Sequence, residues 1–403
     1  MSTIDRSATS DVAVEVELGA LGLDRGGHLL VKRALACVPV GGRVVVRGEA
    51  PELAVHLAAW CRAEGHRFEQ PSQGACAVIR GDAAGARWRN AERAGDPEGV
   101  LSQPSQRWGV APRGASVEVG GPEFDFRLAT REEVWAEQAA RLYAQAAAAQ
   151  WDPATALPWD LAFEVPDEVE DALNQVLTYL IENETAALVL PARFASQVHP
   201  HFREVMQLLA IQAADEARHI EVFTRRALLR RPRLGLSTVG GQTSLKTLID
   251  EPDFAEASFL LSVLGEGSFL NLLWFLHENA PEPLTKELMR LAAQDEARHV
   301  AFSLAHLGRH TSEDPGLRAR LAAAVRRRHG TLEQTAGLNA EVFDALVLLA
   351  AGGWEPEAIA RGFERVQALE RAMDEGRRKR LQRLGFGVEE AAELSSLHTR
   401  NFM

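Results

Sequence analysis

Asp215-Glu216-Ala217-Arg218-His219 and Asp295-Glu296-Ala297-Arg298-His299 are one pentapeptide written twice in the second half of a 403-residue chain. Each contains Glu-x-x-His. On a helix, residues i and i+3 project from one face, so Glu216 with His219 can grip one ion, and Glu296 with His299 a second. A glutamate inside an apolar helical run precedes each copy: Glu184 before the first and Glu266 before the second. Pro200 lies midway between Glu184 and Glu216, and Pro281 midway between Glu266 and Glu296. If each proline marks the turn of an antiparallel hairpin, the members of each pair stand at the same height, roughly 24 Å from the turn at about 1.5 Å per residue. Glu182 is the rival for the first helical position. Half a helical turn does not decide between it and Glu184, and Pro191 is expected to kink the same helix.

One Glu from each of two helices plus Glu-x-x-His from each of two others is the ligand set of a di-iron or di-manganese four-helix bundle. The competing reading is a duplicated pair of solvated helix faces. It sits badly with Glu266, which lies within Ser258-Phe-Leu-Leu-Ser-Val-Leu-Gly-Glu-Gly-Ser-Phe-Leu-Asn-Leu-Leu-Trp-Phe-Leu276. A carboxylate in such a run is costly unless paired or bound to metal. The run approaches the length of a membrane span, but Glu266 and Asn271 interrupt it and Pro281 ends its helix shortly after, so we read a buried core helix. Four carboxylates and two imidazoles suit iron or manganese better than zinc. Two Fe ions are expected, with a Mn/Fe pair also open, and O2 as co-substrate.

The formal charge is −12, and the basic tracts Arg326-Arg327-Arg328 and Arg377-Arg378-Lys379-Arg380 are short. They read as solvated helix faces, so nucleic acid is not an expected partner. Cys37, Cys61 and Cys76 have no Cys-x-x-Cys spacing and point to a reducing compartment. Met1 to Ser10 is polar, without a hydrophobic signal core, so a cytoplasmic protein is expected. His199, His201, His277, His306 and His310 fall near helix ends or off the ligand phase, where surface or capping roles are expected.

The chain reads as several domains. Residues 1–82 have an α/β texture: Val12 to Leu18 and Gly42 to Arg47 alternate like strands, and Leu29 to Val38 and Pro51 to Glu64 have helical spacing. His66 to Glu69 and Ala75 to Arg80 complete a β-α-β-α-β-β order. Residues 83–127, rich in Gly, Pro, Arg and Ser, read as an extended linker. Residues 128–330 form the helical bundle, and 331–403 supply further helices that pack on it.

The N-terminal texture resembles the TusA-like small sulfur-carrier domains through Leu21-Gly22-Leu23, Val38-Pro-Val-Gly-Gly-Arg-Val-Val-Val46, and Trp60-Cys61 followed by Gly65-His66. That family carries sulfur on the cysteine of a Leu-x-Cys-Pro-x-Pro segment. Here the matching stretch is Leu23-Asp24-Arg25-Gly26-Gly27-His28, with Arg25 in place of the cysteine, so sulfur carriage is not expected there. Cys61 is expected to be a small buried hydrophobe, and the domain a docking or dimerisation module.

The C-terminal region, from Trp151 to about Gly330, resembles ferritin-like di-iron oxygenases and oxidases. Its pentapeptide is like that of the bacterial multicomponent monooxygenase hydroxylases, and Gln150-Trp-Asp-Pro153 with Pro158-Trp-Asp160 resembles the lead-in segment of many ferritin-like enzymes. The resemblance implies Glu184, Glu216 and His219 as one half of the metal ligand and catalytic set, and Glu266, Glu296 and His299 as the other. It also implies that Asp215 and Asp295 each fix a ligand imidazole, as such rings require. Arg218 and Arg298 pair either with solvent-facing acids or with those aspartates. The family's radical tyrosine position is Phe223 here, and the extra histidine of arylamine N-oxygenases is Ala292, so neither subtype is indicated. Phe223, Phe269, Leu270 and Phe302 are candidates to line a cavity, ordinary core being the other reading. The expected function is O2-dependent hydroxylation, desaturation or N-oxidation of a small organic substrate, with an electron-donating reductase as partner and a homodimer as the assembly. Iron storage, peroxide scavenging or a docking scaffold is the alternative.

Overall fold

The computed structural model describes residues 14–72, 75–332 and 340–399. The polar lead Met1 to Ser10, the start of the strand expected from Val12, and parts of the C-terminal region (333–339 and 400–403) lie outside the described residues. Tertiary contacts divide the chain into Met1–Ala94 with Gly114–Pro122, and Gly95–Arg113 with Glu123–Met403.

In the first unit β1 (Val14–Glu17), α1 (Gly27–Ala36), β2 (Arg43–Arg47), α2 (Leu53–Glu64), β3 (Arg67–Ser72) and β4 (Ala75–Ile79) follow in the expected order. β1 and β2 pair in parallel with Val14 opposite Val44, as a helical crossover allows. β4 runs antiparallel to β2 and β3, giving a sheet of order β1-β2-β4-β3. Strand alternation buries Val44 and Val46 and leaves Arg43 and Arg47 in solvent. The valines join Val31, Leu35, Leu57 and Cys61 in one core. Burial, with Cys76 adding to it, pushes the Cys61 thiol up to about 11, which suits the inert apolar role expected of it. The linker region is not featureless: α3 (Ala83–Trp88) and the pair β5 (Glu92–Arg93) with β6 (Ser116–Val117) belong to this unit.

The second unit is helical. α4 (Arg131–Val134) opens on a reciprocal capping box between Thr130 and Glu133. After α5 (Ala139–Ala148), α6 (Asp167–Ala195) runs through Pro191 without ending, and a 3-10 turn at Pro200–Phe202 returns the chain as α7 (Arg203–Ala227). α8 (Val239–Ile249) and α9 (Phe254–Ser258) lead into a π-helical segment, Phe259–Glu266, continued by α10 (Gly267–Glu278). α11 (Pro283–Glu313) starts with Pro283 in its first turn and with the Glu282 carboxylate accepting from the Thr285 backbone N–H. Both expected hairpins are therefore present, with Pro200 and Pro281 in their turns. α12 (Leu317–Leu332), α13 (Ala340–Ala351), α14 (Pro356–Arg383) and α15 (Val388–Thr399) follow; α13 packs on α6, α14 on α10 and α13, and α15 on α12 and α14.

The apolar interior of this unit falls into two clusters. Leu180, Phe223, Phe269 and Ala293 belong to one, and Ala187, Leu209, Leu264 and Phe302 to the other. On each of the four main helices, the predicted ligand residues lie where the chain passes from one cluster to the other. Among the described residues, Phe254–Glu278 is the one helix long and apolar enough to cross a membrane, and 78% of its apolar window is buried inside the fold. It is a core helix, as expected.

Candidate metal centre

α6 supplies Glu184, α7 supplies Glu216 and His219, the π-helical segment ends on Glu266, and α11 supplies Glu296 and His299. All six side chains are buried. Donor atoms of Glu184, Glu216, His219 and Glu296 lie within 4.8 Å of one another, and so do those of Glu216, Glu266, Glu296 and His299. The structure thus brings all six predicted residues together, and Glu216 and Glu296 take part in both groups. Glu184 enters the cluster; Glu182 lies in a surface groove beside Lys246 and Asp250. The π-helical register change at Glu266 is of a kind that helices carry at functional sites.

The imidazoles are aimed inward through Nδ1. His219 Nδ1 lies 3.1 Å from Glu216 Oε2, 3.4 Å from Glu296 Oε1 and 3.7 Å from Glu184 Oε2. His299 Nδ1 lies 3.0 Å from Glu216 Oε1 and 3.4 Å from Glu296 Oε2. Each Nε2 faces outward onto the aspartate of the other pentapeptide: His219 onto Asp295 Oδ2 at 3.2 Å and His299 onto Asp215 Oδ2 at 3.2 Å. With Nε2–H donating to an aspartate, Nδ1 keeps its lone pair for a metal.

The lead-in segment secures those aspartates. Gln150 Nε2 donates to Asp215 Oδ1 at 2.7 Å and Trp151 Nε1 to Asp295 Oδ2 at 2.8 Å. Arg218 bridges the two carboxylates at 2.5 and 2.9 Å, its guanidinium 4.7 Å from the Trp151 ring centre, while Arg298 pairs with Asp295. Of the two pairings open to these arginines, the aspartates inside the bundle are the one found. Burial alone would raise Asp215 and Asp295, but the imidazoles outweigh it and hold both below the ordinary aspartate range. Gln150 helps at Asp215, and Arg218 and Trp151 at Asp295.

Four carboxylates share a dry space. Burial first, then Glu216 and Glu296, push Glu184 well above the usual carboxylate range, and burial with Glu296 takes Glu266 up to about 8. At Glu296 burial acts upward too, but His299 and His219 outweigh it and hold the carboxylate at about 2. Burial would depress the two imidazoles; the surrounding carboxylates instead lift both well above their ordinary value. Even so, Oε1 of Glu184 and of Glu216, Oε2 of Glu266, both oxygens of Glu296 and Nδ1 of His299 are buried without a hydrogen-bond partner. Glu216 Oε1 and His299 Nδ1 are close but poorly directed toward each other. Orphaned buried anions destabilise a core, and two cations held among these six residues would offset that cost. The donor set fits a pair of iron or manganese ions. Gln212 Nε2 donates to the remaining Glu266 oxygen at 3.3 Å.

Glu184, Glu266 and Glu296 line a small cavity together with Leu245, Leu248, Leu261 and Phe269. Of the other candidate liners, Phe302 borders a separate small cavity with Gln212 and Phe194, and Phe223 packs its ring 6.1 Å from that of His219. Arg328 and His398 line the same cavity. Arg328 corrects the expectation for the Arg326-Arg327-Arg328 tract: it is buried, because α12 is covered by α8 on one side and α15 on the other. Arg377 in the second tract is buried as well. His199, His201 and His306, expected at surfaces or caps, are also buried. His199 does cap the 3-10 turn, accepting from the His201 backbone N–H at 3.1 Å; His201 Nε2 accepts from the Leu101 N–H, and His306 Nδ1 donates to the Trp135 carbonyl. None of the three is in either donor group.

No family model and no curated protein matches the chain. Among solved structures, an R2-like ligand-binding oxidase variant with aerobically reconstituted Mn/Fe cofactor is 17% identical, covering 64% of this chain and 94% of its own, with a TM-score of 0.42. An R2-like ligand-binding oxidase from Sulfolobus acidocaldarius is 18% identical over 59% of this chain and 90% of its own, with a TM-score of 0.39. A third R2-like ligand-binding oxidase, with aerobically reconstituted metal cofactor after photoconversion, is 17% identical over 66% and 92%, with a TM-score of 0.42. Likeness at this level leaves the reading of the centre to rest on its own residues.

Proposed function

We propose that this protein is an oxidoreductase that holds two metal ions, as an iron pair or a Mn/Fe pair, and uses O2 to oxidise a small organic substrate by hydroxylation, desaturation or N-oxidation. The observation that carries the reading is the membership of Glu216 and Glu296 in both donor groups, which is what two ions sharing bridging carboxylates require. Bound there, the metals supply the two-electron reduction of O2. The chain's own residues do the rest. Asp215 and Asp295 hold the imidazoles in one tautomer and one orientation, and Gln150, Trp151 and Arg218 hold the aspartates. The apolar side chains of the cavity keep bulk water from Glu184, Glu266 and Glu296. Iron storage has no use for such a cavity, and this favours an oxidase over a ferritin-like store.

The same reading includes a separate reductase as electron donor, pairing of two copies through helix faces, and work in the cytoplasm. The first unit, TusA-like in its element order, serves as a docking module; Arg25 and the buried, hard-to-ionise Cys61 support that role over sulfur transfer. The test is to load the full chain with Fe(II) under anaerobic conditions and then admit O2. Iron uptake that stops at about two ions per chain, followed by consumption of about one O2 per pair, supports the reading. Uptake far beyond that points to storage, and loading without any O2 consumption overturns the oxidase.

A further inference from the structure

Glu266 is the last residue of the π-helical segment, so its place among the donors depends on that segment keeping its register. A π turn closes five residues back in place of four. It adds one residue to the turn and so carries the side chains after it about 100° round the helix axis. The wide turn is marked by the Gly267 N–H, which bonds to Ser262 O. When α10 resumes the ordinary four-residue step, one backbone acceptor is passed over, and the next in line is Val263 O. A carbonyl without its helical partner inside a core is costly.

Arg380 of α14 meets that carbonyl: its Nε donates to Val263 O at 2.6 Å. The guanidinium lies against Gly267, the residue that follows the ligand. A Cβ at Gly267 would stand 2.5 Å from Arg380 Cζ and closer still to Nε. Gly376, one turn earlier on α14, leaves room on the other side, where a Cβ would stand 3.1 Å from Arg380 Nη1. Arg377, on the same face of α14, reaches the following carbonyl at one remove. Its Nη1 donates to Ser268 Oγ at 3.1 Å, and Ser268 Oγ donates to Leu264 O at 2.7 Å. The two cations between them turn away, Arg378 to Asp374 at 2.8 Å and Lys379 to Glu375 at 2.7 Å. Burial, with Arg377 adding to it, brings the Arg380 guanidinium down to about 10, so at neutral pH it remains a charged donor.

We propose that Arg380 is a positioning residue of the metal centre: seated in the space that Gly267 leaves, it caps Val263 O, holds the π-helical register, and so delivers Glu266 to the donor group of Glu216, Glu296 and His299. It acts through the backbone that carries Glu266. What Glu266 does there rests on the two-metal reading; what holds the segment does not.

The test uses the full chain with Arg380→Met, which keeps the length of the side chain and removes its donors, and with Lys379→Met on the exposed side of α14 as control. Two quantities are read: iron retained through gel filtration after anaerobic Fe(II) loading, and amide hydrogen exchange over residues 259–267 of the metal-free chain. Glu266 belongs to one donor group and not the other. Arg380→Met is therefore expected to lower tight iron from about two ions per chain to about one. Exchange in the segment is expected to speed up about tenfold or more while α6 and α7 keep their protection. Lys379→Met is expected to change neither. Two tight ions in Arg380→Met, or unchanged exchange in the segment, overturns the proposal. So does weakening of both ions alike with faster exchange in every helix, since that is general loosening of the fold. Gly267→Ala serves where Arg380→Met fails to fold, because its methyl displaces only the far end of a flexible side chain. It is expected to lose the same single ion with the arginine still present, and two tight ions there overturn the proposal. If the unaltered chain takes up no iron and Arg380→Met still speeds exchange in this segment alone, the two-metal reading falls and the clamp on the π register stands.

Discussion

Asp215 reaches across the bundle to His299, its Oδ2 3.2 Å from Nε2, and so buttresses the histidine of the other hairpin and not its own. Asp295 returns the arrangement at His219. The two pentapeptides are thereby tied into one unit: neither imidazole is oriented unless both hairpins are docked. Folding of the bundle and assembly of the centre are one event in this scheme.

Asp215→Asn tests the crossing directly. Asparagine keeps the shape but removes the charge that fixes the His299 ring. Metal affinity is expected to fall about 10- to 100-fold, measured by competition with a chelator of known strength. Unchanged affinity would mean that the aspartate only pairs with Arg218.

Glu296 belongs to both donor groups, while Glu184 belongs to one. Glu296→Ala is therefore expected to abolish tight binding of both ions, and Glu184→Ala to leave about one tight ion per chain, read by metal analysis after gel filtration. Equal stoichiometry in the two variants contradicts the shared-carboxylate geometry.

Away from the centre, Arg226 is fully buried, 2.5 Å from Glu170 Oε1 and 3.0 Å from Glu282 Oε1. Removing it strands two buried carboxylates. Arg226→Ala is expected to cost about 3–5 kcal/mol in urea unfolding of the metal-free chain. A cost below about 1 kcal/mol would show that the site relaxes to admit water.

His306 gives the pH dependence. Burial holds its ring down at about 4, against about 6.5 in an unfolded chain. Between those values the unfolded state binds more protons, so stability is full above about pH 6.5 and is lost as pH falls toward 4, by about 3 kcal/mol. His306→Phe is expected to flatten the unfolding free energy over that window relative to the unaltered chain. Parallel curves would contradict a neutral buried ring.

What the sequence makes legible is whatever local geometry controls. Glu-x-x-His is a statement about one helical face, and Pro200 and Pro281 mark turns, so the hairpins and five of the six clustered residues can be read from the chain alone. The choice of Glu184 over Glu182 cannot, because it depends on how α6 is rotated against its neighbours. The exchange of aspartates between hairpins is tertiary in the same way: Asp215 and Asp295 have identical local contexts whichever ring they serve. The π-helical segment leaves no mark in an apolar run that also suits an α-helix. Arg328 hides inside a tract whose other two arginines behave as expected; its burial follows from α8 and α15 closing over α12, contacts between helices distant in sequence.

Crystals of the full chain loaded with iron, measured at the iron absorption edge, test the central claim most directly. The account predicts two anomalous peaks roughly 3.5–4 Å apart, with Glu216 and Glu296 between them and one imidazole on each. A single peak, or a pair bound away from these six residues, would contradict it.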